Sequence, residues 1–396
     1  MKFLLFANTD WYLYNFRLAL AKAIRELGVD VVLVSPPGIY GPRLELEGFG
    51  WIPLQMNRRN LNPMEEVKVI SALVSIYRRE RPDLVHHFTI KPVIYGTIAA
   101  RLAGIPNLIN AVTGLGHVFT SDSPRARMLR PIVSLLFRMA LRTPSGRIIL
   151  QNGDDHELFL DNRLAAKDSI RIIRGSGVNT ARYCLKSREG FHEKGVRVLM
   201  ATRLLWEKGV GEYVEAARIL KEKQPDVEFL LAGAPDEGNP ASVPGATIAN
   251  WQKEGIITVL GHVEDMVALL QEADVAVLPS YREGTPRILL EAAACGLPIV
   301  ATDVPGCREI VEHKVNGLLV PAKDPRALAE ALRHLAGNPV ERRRMGEAGR
   351  KKVVEEFDER IVIARTLDVY RELLGVLSDT LDMRTREPII AGSEKG

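Results

Sequence analysis

The sequence predicts an α/β protein made of two doubly wound, Rossmann-like domains. Three observations carry this. Short apolar, β-branched runs alternate with helical stretches along the chain, the pattern of parallel βαβ units. The alternation starts afresh after Arg174-Gly175-Ser176-Gly177-Val178-Asn179, where glycines permit a hinge. The chain has 396 residues, 46% hydrophobic and 26% charged, enough for two ordinary globular domains. The first domain is expected over residues 1–175 and the second from 176 to 355.

In the first half, Phe3-Leu4-Leu5-Phe6 reads as a strand. Tyr14 to Leu27 reads as an amphipathic helix closed by Gly28. Asp30 to Ser35 is the next strand, and a helix ending near Arg81 precedes the strand Leu84-Val85-His86-His87-Phe88. Ile94 to Ala103 is a helix stopped by Gly104 and followed by the strand Asn107 to Val112. Ile148 to Leu150 and Ile170 to Ile173 complete the set. The second half has strands at Arg197–Ala201, Glu228–Gly233, Ile257–Leu260, Asp274–Leu278, Pro298–Ala301 and Gly317–Val320, with a helix from Val210 to Lys223. Phe357 to Leu377 carries apolar residues at helical spacing, and the polar tail from Asp379 to Gly396 reads as frayed.

Composition narrows the classes. Three cysteines, Cys184, Cys295 and Cys307, fit no zinc spacing and suggest a reduced, cytosolic setting. The apolar run at Met1–Asn8 is too short for a signal peptide, and no run of 18 apolar residues suggests a transmembrane helix. Residues 1–175 hold 23 basic and 15 acidic side chains, a net of +8, against a net of −4 for the rest. A basic first half points to an anionic partner, either nucleic acid or a membrane surface with its phospholipid and lipid diphosphate. No RRM-like aromatic signature supports nucleic acid, which is not expected as a partner. If Ser123 caps a helix beginning at Pro124, then Arg130, Ser134, Arg138 and Arg142 share one face, and Leu129, Ile132, Val133, Leu136, Phe137 and Ala140 the other. A basic amphipathic helix over 125–142 suits a membrane surface, with Arg58 and Arg59 adding charge.

The chemistry concentrates in Glu283-Gly284-Thr285-Pro286-Arg287-Ile288-Leu289-Leu290-Glu291, directly after the run Asp274 to Ser280. A turn at Gly284-Thr285-Pro286 starts a helix, with Pro286 in its first turn, where a missing N–H costs nothing. One carboxylate then lies in the loop at a strand's carboxyl end and the other within the helix. Between them are free N–H groups at the positive end of a helix dipole, a seat for phosphate. Two carboxylates that accept hydroxyl hydrogen bonds, beside such a seat, suit a nucleotide sugar.

With Ala292-Ala293-Ala294-Cys295-Gly296-Leu297-Pro298 following it, this Glu-x7-Glu segment resembles the donor site of retaining GT-B glycosyltransferases of family 4. The resemblance covers nearly the whole chain and is strongest from Val198 to Val320. It implies the GT-B fold, with two Rossmann-like domains whose sheet edges face each other across a cleft. It also implies an acceptor-binding first domain and a nucleotide-sugar-binding second domain. The helix over 356–378 would cross back to the first domain, with 379–396 as a tail.

Arg203 and Lys208, in Arg203-Leu204-Leu205-Trp206-Glu207-Lys208-Gly209, resemble the family's Arg-x4-Lys-Gly motif, which implies neutralisation of the donor diphosphate. A planar fork and a mobile point charge both suit phosphate oxygens. No Asp-x-Asp occurs, so no cofactor or metal is expected, and the UDP-sugar enters as substrate. By the resemblance, Glu291 takes the ribose hydroxyls, Glu283 contacts the donor sugar, and Gly284 and Thr285 help hold the sugar and diphosphate. His262 borders the base. Glu309 reads as a structural carboxylate at a helix start. His117, in Thr113-Gly114-Leu115-Gly116-His117, is the candidate to contact the donor sugar, with Thr113 the alternative and a candidate on the acceptor side. Asp10 and Arg17, in the segment that stands where the family often has a glycine-rich loop, are the other acceptor candidates. His86 and His87 read as packed or hydrogen-bonded structural histidines.

The expected activity is retaining transfer of a sugar, such as N-acetylgalactosamine, from a UDP-sugar to a polyprenyl-diphosphate-linked glycan at the inner face of a bacterial cell membrane. A family 4 transferase with another donor or a soluble acceptor is the main rival. A non-enzymatic nucleotide- or nucleic-acid-binding protein is a distant one.

Overall fold

A computed structural model describes residues 1–57, 62–113, 124–141, 146–185, 195–222, 224, 226–236 and 238–375. The chain divides into two compact units, Met1–Ile173 with Ile363–Gly396, and Arg174–Val362.

The first unit holds a seven-stranded sheet in the order β3-β2-β1-β4-β5-β6-β7. Its strands are β1 Lys2–Phe6, β2 Asp30–Ser35, β3 Gly50–Pro53, β4 Leu84–Phe88, β5 Asn107–Val112, β6 Gly146–Leu150 and β7 Ile170–Ile172. All pairings are parallel. β4 is buried along its whole length, as a strand covered on both faces requires, and it reads as a continuous apolar run apart from its two histidines. Strand order reverses between β1 and β4, which makes their carboxyl ends the unit's topological switch point.

Several expectations change in this unit. The helix placed over Tyr14–Leu27 is two helices, Asp10–Phe16 and Leu18–Glu26, broken at Arg17 with φ −128° and ψ −6°. Thr9 starts the first by accepting a hydrogen bond from the Tyr12 amide at 3.1 Å. The helix placed from Ile94 begins at Ile90. The helix Gly41–Leu46 and the edge strand β3 had no sequence signal, because both are short and lie in a stretch punctuated by proline and glycine.

The basic helix spans Pro124–Leu141. Phe137, Ala140 and Leu141 are buried, but so is Ser134, which the charge pattern had placed on the outer face. The outward face carries Met128, Leu135 and Met139, one stripe at positions i, i+7 and i+11, beside the exposed Arg127. Arg138 stays outside and donates to the Asn162 carbonyl at 3.0 Å. Ser123, Arg142, Arg58, Arg59 and the tail from 379 lie outside the described residues.

Both histidines of β4 are buried and hydrogen-bonded, on opposite faces of the sheet. The Thr97 hydroxyl donates to Asn110 Oδ1 at 3.1 Å, and His87 Nδ1 lies 2.8 Å from the same oxygen. His87 therefore carries its proton on Nδ1, and Nε2 accepts from the Tyr77 hydroxyl at 3.0 Å. Gly96 makes the space, since a Cβ there would lie 2.5 Å from the imidazole. His86 Nδ1 pairs with the Tyr370 hydroxyl at 2.7 Å. Tyr370 stands on the last helix, Glu359–Leu374, whose first residues belong to the second unit and whose remainder belongs to the first.

The second unit holds a six-stranded parallel sheet in the order β10-β9-β8-β11-β12-β13. Its strands are β8 Val196–Ala201, β9 Val227–Ala232, β10 Thr258–Gly261, β11 Val275–Leu278, β12 Ile299–Thr302 and β13 Gly317–Val320. Apolar cores cover both faces. The switch point here lies between β8 and β11. Arg350, on the helix Pro339–Glu356, donates to the carbonyls of Thr180, Tyr183 and Ala294 at 2.9, 2.6 and 2.7 Å. It thereby fixes the end of the helix Arg287–Ala294 and the segment after the junction.

Burial pushes the His87 imidazole down from 6.5 to about 4. A base depressed in the folded state contributes stability that is full above its unfolded pKa and falls away as pH drops toward the folded one. Between pH 8 and pH 5, His87 therefore removes about 2 kcal/mol of stability. Urea midpoints across that range should fall in the wild type and fall less in His87→Gln. Equal slopes for the two proteins would show that His87 does not carry the effect.

Candidate donor site

The second unit's site forms where loops leave the carboxyl ends of β8 and β11, on either side of the switch point. These two loops, and the loop after β12 that packs on the second of them, approach so closely that only glycine fits at two positions. A Cβ on Gly209 (φ +75°) would meet the Pro279 carbonyl oxygen at 2.1 Å. One on Gly306 (φ +81°) would meet the Gly284 carbonyl oxygen at 2.1 Å. The Tyr281 amide also donates to the Glu207 carbonyl at 2.9 Å, tying the β11 loop to the β8 loop.

Across this junction Lys208 Nζ meets Glu283 Oε1 at 2.6 Å, with both side chains largely shielded from water. Lys208 stands in a short helical turn, Trp206–Lys208, directly after β8, while Glu283 follows β11. Sequence positions 75 apart are thus brought into one ion pair. Arg203 also has a carboxylate partner, Asp236, at 3.1 Å, and remains exposed. Asp236 accepts from Asn239 Nδ2 at 3.0 Å, and its amide donates to the Ser242 hydroxyl.

Glu291 lies on the helix Arg287–Ala294 and is 9% exposed. Arg287, one turn earlier, donates to its Oε1 at 2.8 Å. Burial raises the Glu291 pKa, and Arg287 and a hydrogen bond with Tyr183 oppose the shift without cancelling it. Pro286 is the N-cap rather than a first-turn residue, with no side chain capping the helix, so the opening N–H groups face no side-chain acceptor of their own cap. The Thr285 hydroxyl is buried without a hydrogen-bond partner among the described residues. Glu283, Gly284, Thr285 and Glu291 therefore frame an uncapped helix end beside the Lys208 ammonium. The set offers carboxylate acceptors for hydroxyl groups, and N–H groups with a cation for an anion.

The other sequence candidates fall as follows. His262 is exposed just after β10. Glu309 is held by Arg174 at 2.7 Å, and Arg174 also reaches Glu356 at 3.0 Å, a structural use of the carboxylate. In the first unit, Thr113 is half-buried after β5. His117, Gly114 and Gly116 lie outside the described residues. Asp10 serves the backbone. Its carboxylate accepts from the amides of Trp11, Tyr40 and Gly41 at 2.8, 2.7 and 2.9 Å, fixing the start of the helix Gly41–Leu46. Arg17 is buried at the β1/β4 switch point.

Sequence reasoning missed Tyr183, Arg287, Asp236 and the hydrogen bond from the Tyr281 hydroxyl to Glu212 at 2.7 Å. Arg287 was readable, since it stands four residues before Glu291 on a helix. Tyr183 and Asp236 reach their partners only through the tertiary fold. Among the described residues, no group of three or more His, Cys, Asp or Glu side chains is placed to hold a metal ion.

Comparison with known proteins places this geometry. The family described as Glycosyl transferase 4-like matches residues 2–151, and that described as Glycosyl transferases group 1 matches residues 185–352. The chain is 29% identical over 372 residues to the N,N'-diacetylbacillosaminyl-diphospho-undecaprenol alpha-1,3-N-acetylgalactosaminyltransferase of Campylobacter jejuni, covering 91% of this chain and 96% of that protein. It is 31% identical over 302 residues to a glycogen synthase of Mycobacterium tuberculosis, covering 74% of this chain and 69% of that one. In fold it is similar to the Anabaena HepE protein solved with UDP and glucose, with a TM-score of 0.75 at 20% identity over 93% of this chain and 98% of that one. The two parallel sheets are those of the GT-B fold. Both halves match glycosyltransferase families and a paired, shielded acid and base bridge the second sheet's switch point, so the chain belongs to the group 1, family 4-like glycosyltransferases and is an enzyme of glycosyl transfer.

Proposed function

We propose that the protein transfers an N-acetylhexosamine, such as N-acetylgalactosamine, from a UDP-sugar to a polyprenyl-diphosphate-linked glycan, with retention of anomeric configuration. The observation that carries this is the Lys208–Glu283 pair at the β8/β11 switch point beside the uncapped helix that bears Glu291. Similarity over most of its length to the Campylobacter jejuni N-acetylgalactosaminyltransferase supports the acceptor class.

In this reading the incoming diphosphate takes over the cations. Lys208 exchanges part of its bond to Glu283 for phosphate oxygens, and Arg203 turns from Asp236 to do the same. Glu283, released from full pairing, accepts hydroxyl hydrogen bonds from the donor sugar. Glu291, oriented by Arg287 and Tyr183, accepts them from the ribose. Amides of the Gly284-Thr285 turn and the helix start hold the sugar and diphosphate, and His262 borders the base. As the glycosidic C–O bond breaks, negative charge collects on the diphosphate oxygen, where these donors stabilise it. The acceptor hydroxyl attacks the same face and passes its proton to that oxygen, so the step needs no protein base. Two side-chain cations and a helix end supply the counter-charge, and the reaction is read as metal-independent. His117 and Thr113 are assigned to the donor sugar and the acceptor side, with Asp10 holding the acceptor loop.

No described helix is long and apolar enough to cross a membrane. Contact with the inner face of the cell membrane is assigned to the helix Pro124–Leu141. Its exposed Met128, Leu135 and Met139 offer apolar anchors, and the exposed Arg127 and Arg138 offer positive charge to anionic lipid.

Three outcomes test this reading. A donor panel with a lipid-diphosphate acceptor should release UDP from wild type, and Glu283→Gln should lose activity by roughly 10²-fold or more while UDP still raises its melting temperature. Full turnover in that variant would refute the role of Glu283. Because burial raises the Glu291 pKa in the folded state, its protonated form is the one the fold favours; that stability is present below the unfolded pKa and lost as pH rises through the folded one. The melting temperature of Glu291→Gln relative to wild type should therefore rise as pH goes from acid to 7, while protection by UDP weakens. A variant protected by UDP as well as wild type would remove Glu291 from the ribose. Finally, Leu135→Glu with Met139→Glu should cut co-sedimentation with phosphatidylglycerol vesicles about tenfold or more, leaving UDP protection intact. Unchanged sedimentation would take the helix off the membrane.

A further inference from the structure

The first unit buries a guanidinium with no acid paired to it among the described residues. Arg17 is 7% exposed and stands in the break between the helices Asp10–Phe16 and Leu18–Glu26. Among the described residues its side chain meets the Tyr12 hydroxyl at 2.7 Å and lies over two rings, 5.3 Å from the centroid of Tyr12 and 4.4 Å from that of Phe88. Its Nε has no hydrogen-bond partner among the described residues. His86 lies close by, its ring 4.0 Å from that of Phe88, and its Nε2 is likewise unpartnered. Burial and the Arg17 charge hold the His86 pKa well below its ordinary value, so the imidazole adds no second charge. A water between Arg17 Nε and His86 Nε2 would satisfy both atoms but leave the cation unbalanced. A buried, unpaired charge is costly and persists where something offsets it.

The residue after Phe88 gives an independent sign. Thr89 has φ +71° and ψ 166°, a conformation that a β-branched residue adopts only under strain. It is the N-cap of the 14-residue helix Ile90–Ala103, yet its hydroxyl does not cap that helix and is buried without a partner among the described residues. The first turn holds no acidic residue. An orphaned hydroxyl, an uncapped helix start and an unbalanced guanidinium thus gather at the carboxyl ends of β1 and β4, the place where open parallel sheets take ligands.

We infer that Arg17 and Thr89 form an anion seat for a diphosphate, that of the prenyl-linked acceptor. The guanidinium supplies charge and an N–H fork, the Thr89 hydroxyl turns to a phosphoryl oxygen, and the start of the helix Ile90–Ala103 adds its dipole. The Tyr12 hydroxyl and the rings of Tyr12 and Phe88 pack against the guanidinium and hold it in place. The seat stands on these residues alone; its assignment to the acceptor rests on the function proposed above.

The test uses the full chain saturated with UDP, so that the donor seat is filled, and titrates farnesyl diphosphate and inorganic pyrophosphate by calorimetry. Farnesyl diphosphate should bind wild type, and Arg17→Gln should weaken it by about tenfold to a hundredfold, the worth of one charge-assisted contact. Thr89→Val keeps the branched shape and removes an unsatisfied hydroxyl, so it should weaken binding while melting no lower than wild type. Tighter binding of farnesyl diphosphate than of pyrophosphate assigns the seat to a lipid-linked ligand, whereas equal binding overturns that assignment. Folded variants at both positions that bind farnesyl diphosphate like wild type overturn the seat itself. If Arg17→Gln does not fold, Thr89→Val decides. Should wild type fail to bind UDP, the proposed transferase reading falls, and the same titration without UDP still reports on Arg17.

Discussion

Parallel strand order governs where chemistry can happen in this molecule. In each sheet all strands end on the same edge, and only where the order reverses do successive loops part and leave room for a ligand. In the second unit that place lies between β8 and β11, and the chain puts Arg203 and Lys208 after the one strand and Glu283 after the other. In the first unit it lies between β1 and β4, with Tyr12 and Arg17 after the one and Phe88 and Thr89 at the end of the other. The same geometry, built twice, collects charge in places where an ordinary core would reject it.

The second site is held in readiness by its own ions. Lys208 and Glu283 neutralise each other at 2.6 Å, and Glu291 rests against Arg287. Breaking a shielded pair by removing one member leaves the other stranded, which costs more than the pair is worth intact. A ligand that brings both an anion and hydroxyl groups can part the pair without stranding either member. The close backbone contacts at Gly209 and Gly306 matter for the same reason, since loops that cannot move apart keep the carboxylates and cations at fixed separations.

Much of this was legible in the sequence, and the exceptions have physical causes. Buried parallel strands such as β1, β8 and β11 announce themselves as apolar runs, because both faces are covered. Glu283 and Glu291 were visible because a turn and a helix start lie between them. The break at Arg17 was not, because Asp10 to Leu27 keeps an amphipathic pattern across it and only Arg17's backbone departs from the helix. Ser134 misled the reading of its helix: a small hydroxyl side chain passes as solvent-facing in a charge pattern, yet it is buried along with Phe137 and Ala140. Asp10 looked like a ligand-binding acid and proved to hold backbone amides, a use that depends on residues 30 positions away. The pairing of Lys208 with Glu283 and the strain at Thr89 belong to tertiary structure and leave no local mark.

The last helix has a consequence for how the protein is made. Residues from Ile363 onward belong with the first unit, where Tyr370 stacks edge-on against Phe3 and bonds His86. Those partners sit in strands near the amino terminus, so they leave the ribosome early and wait through nearly the whole of synthesis for the group that covers them. The second unit, Arg174–Val362, is contiguous and can close while the first is still incomplete. Vectorial synthesis therefore leaves the amino-terminal sheet as the portion in need of a holdase, and a premature stop late in the message would strip a finished-looking chain of the lid over its first strand.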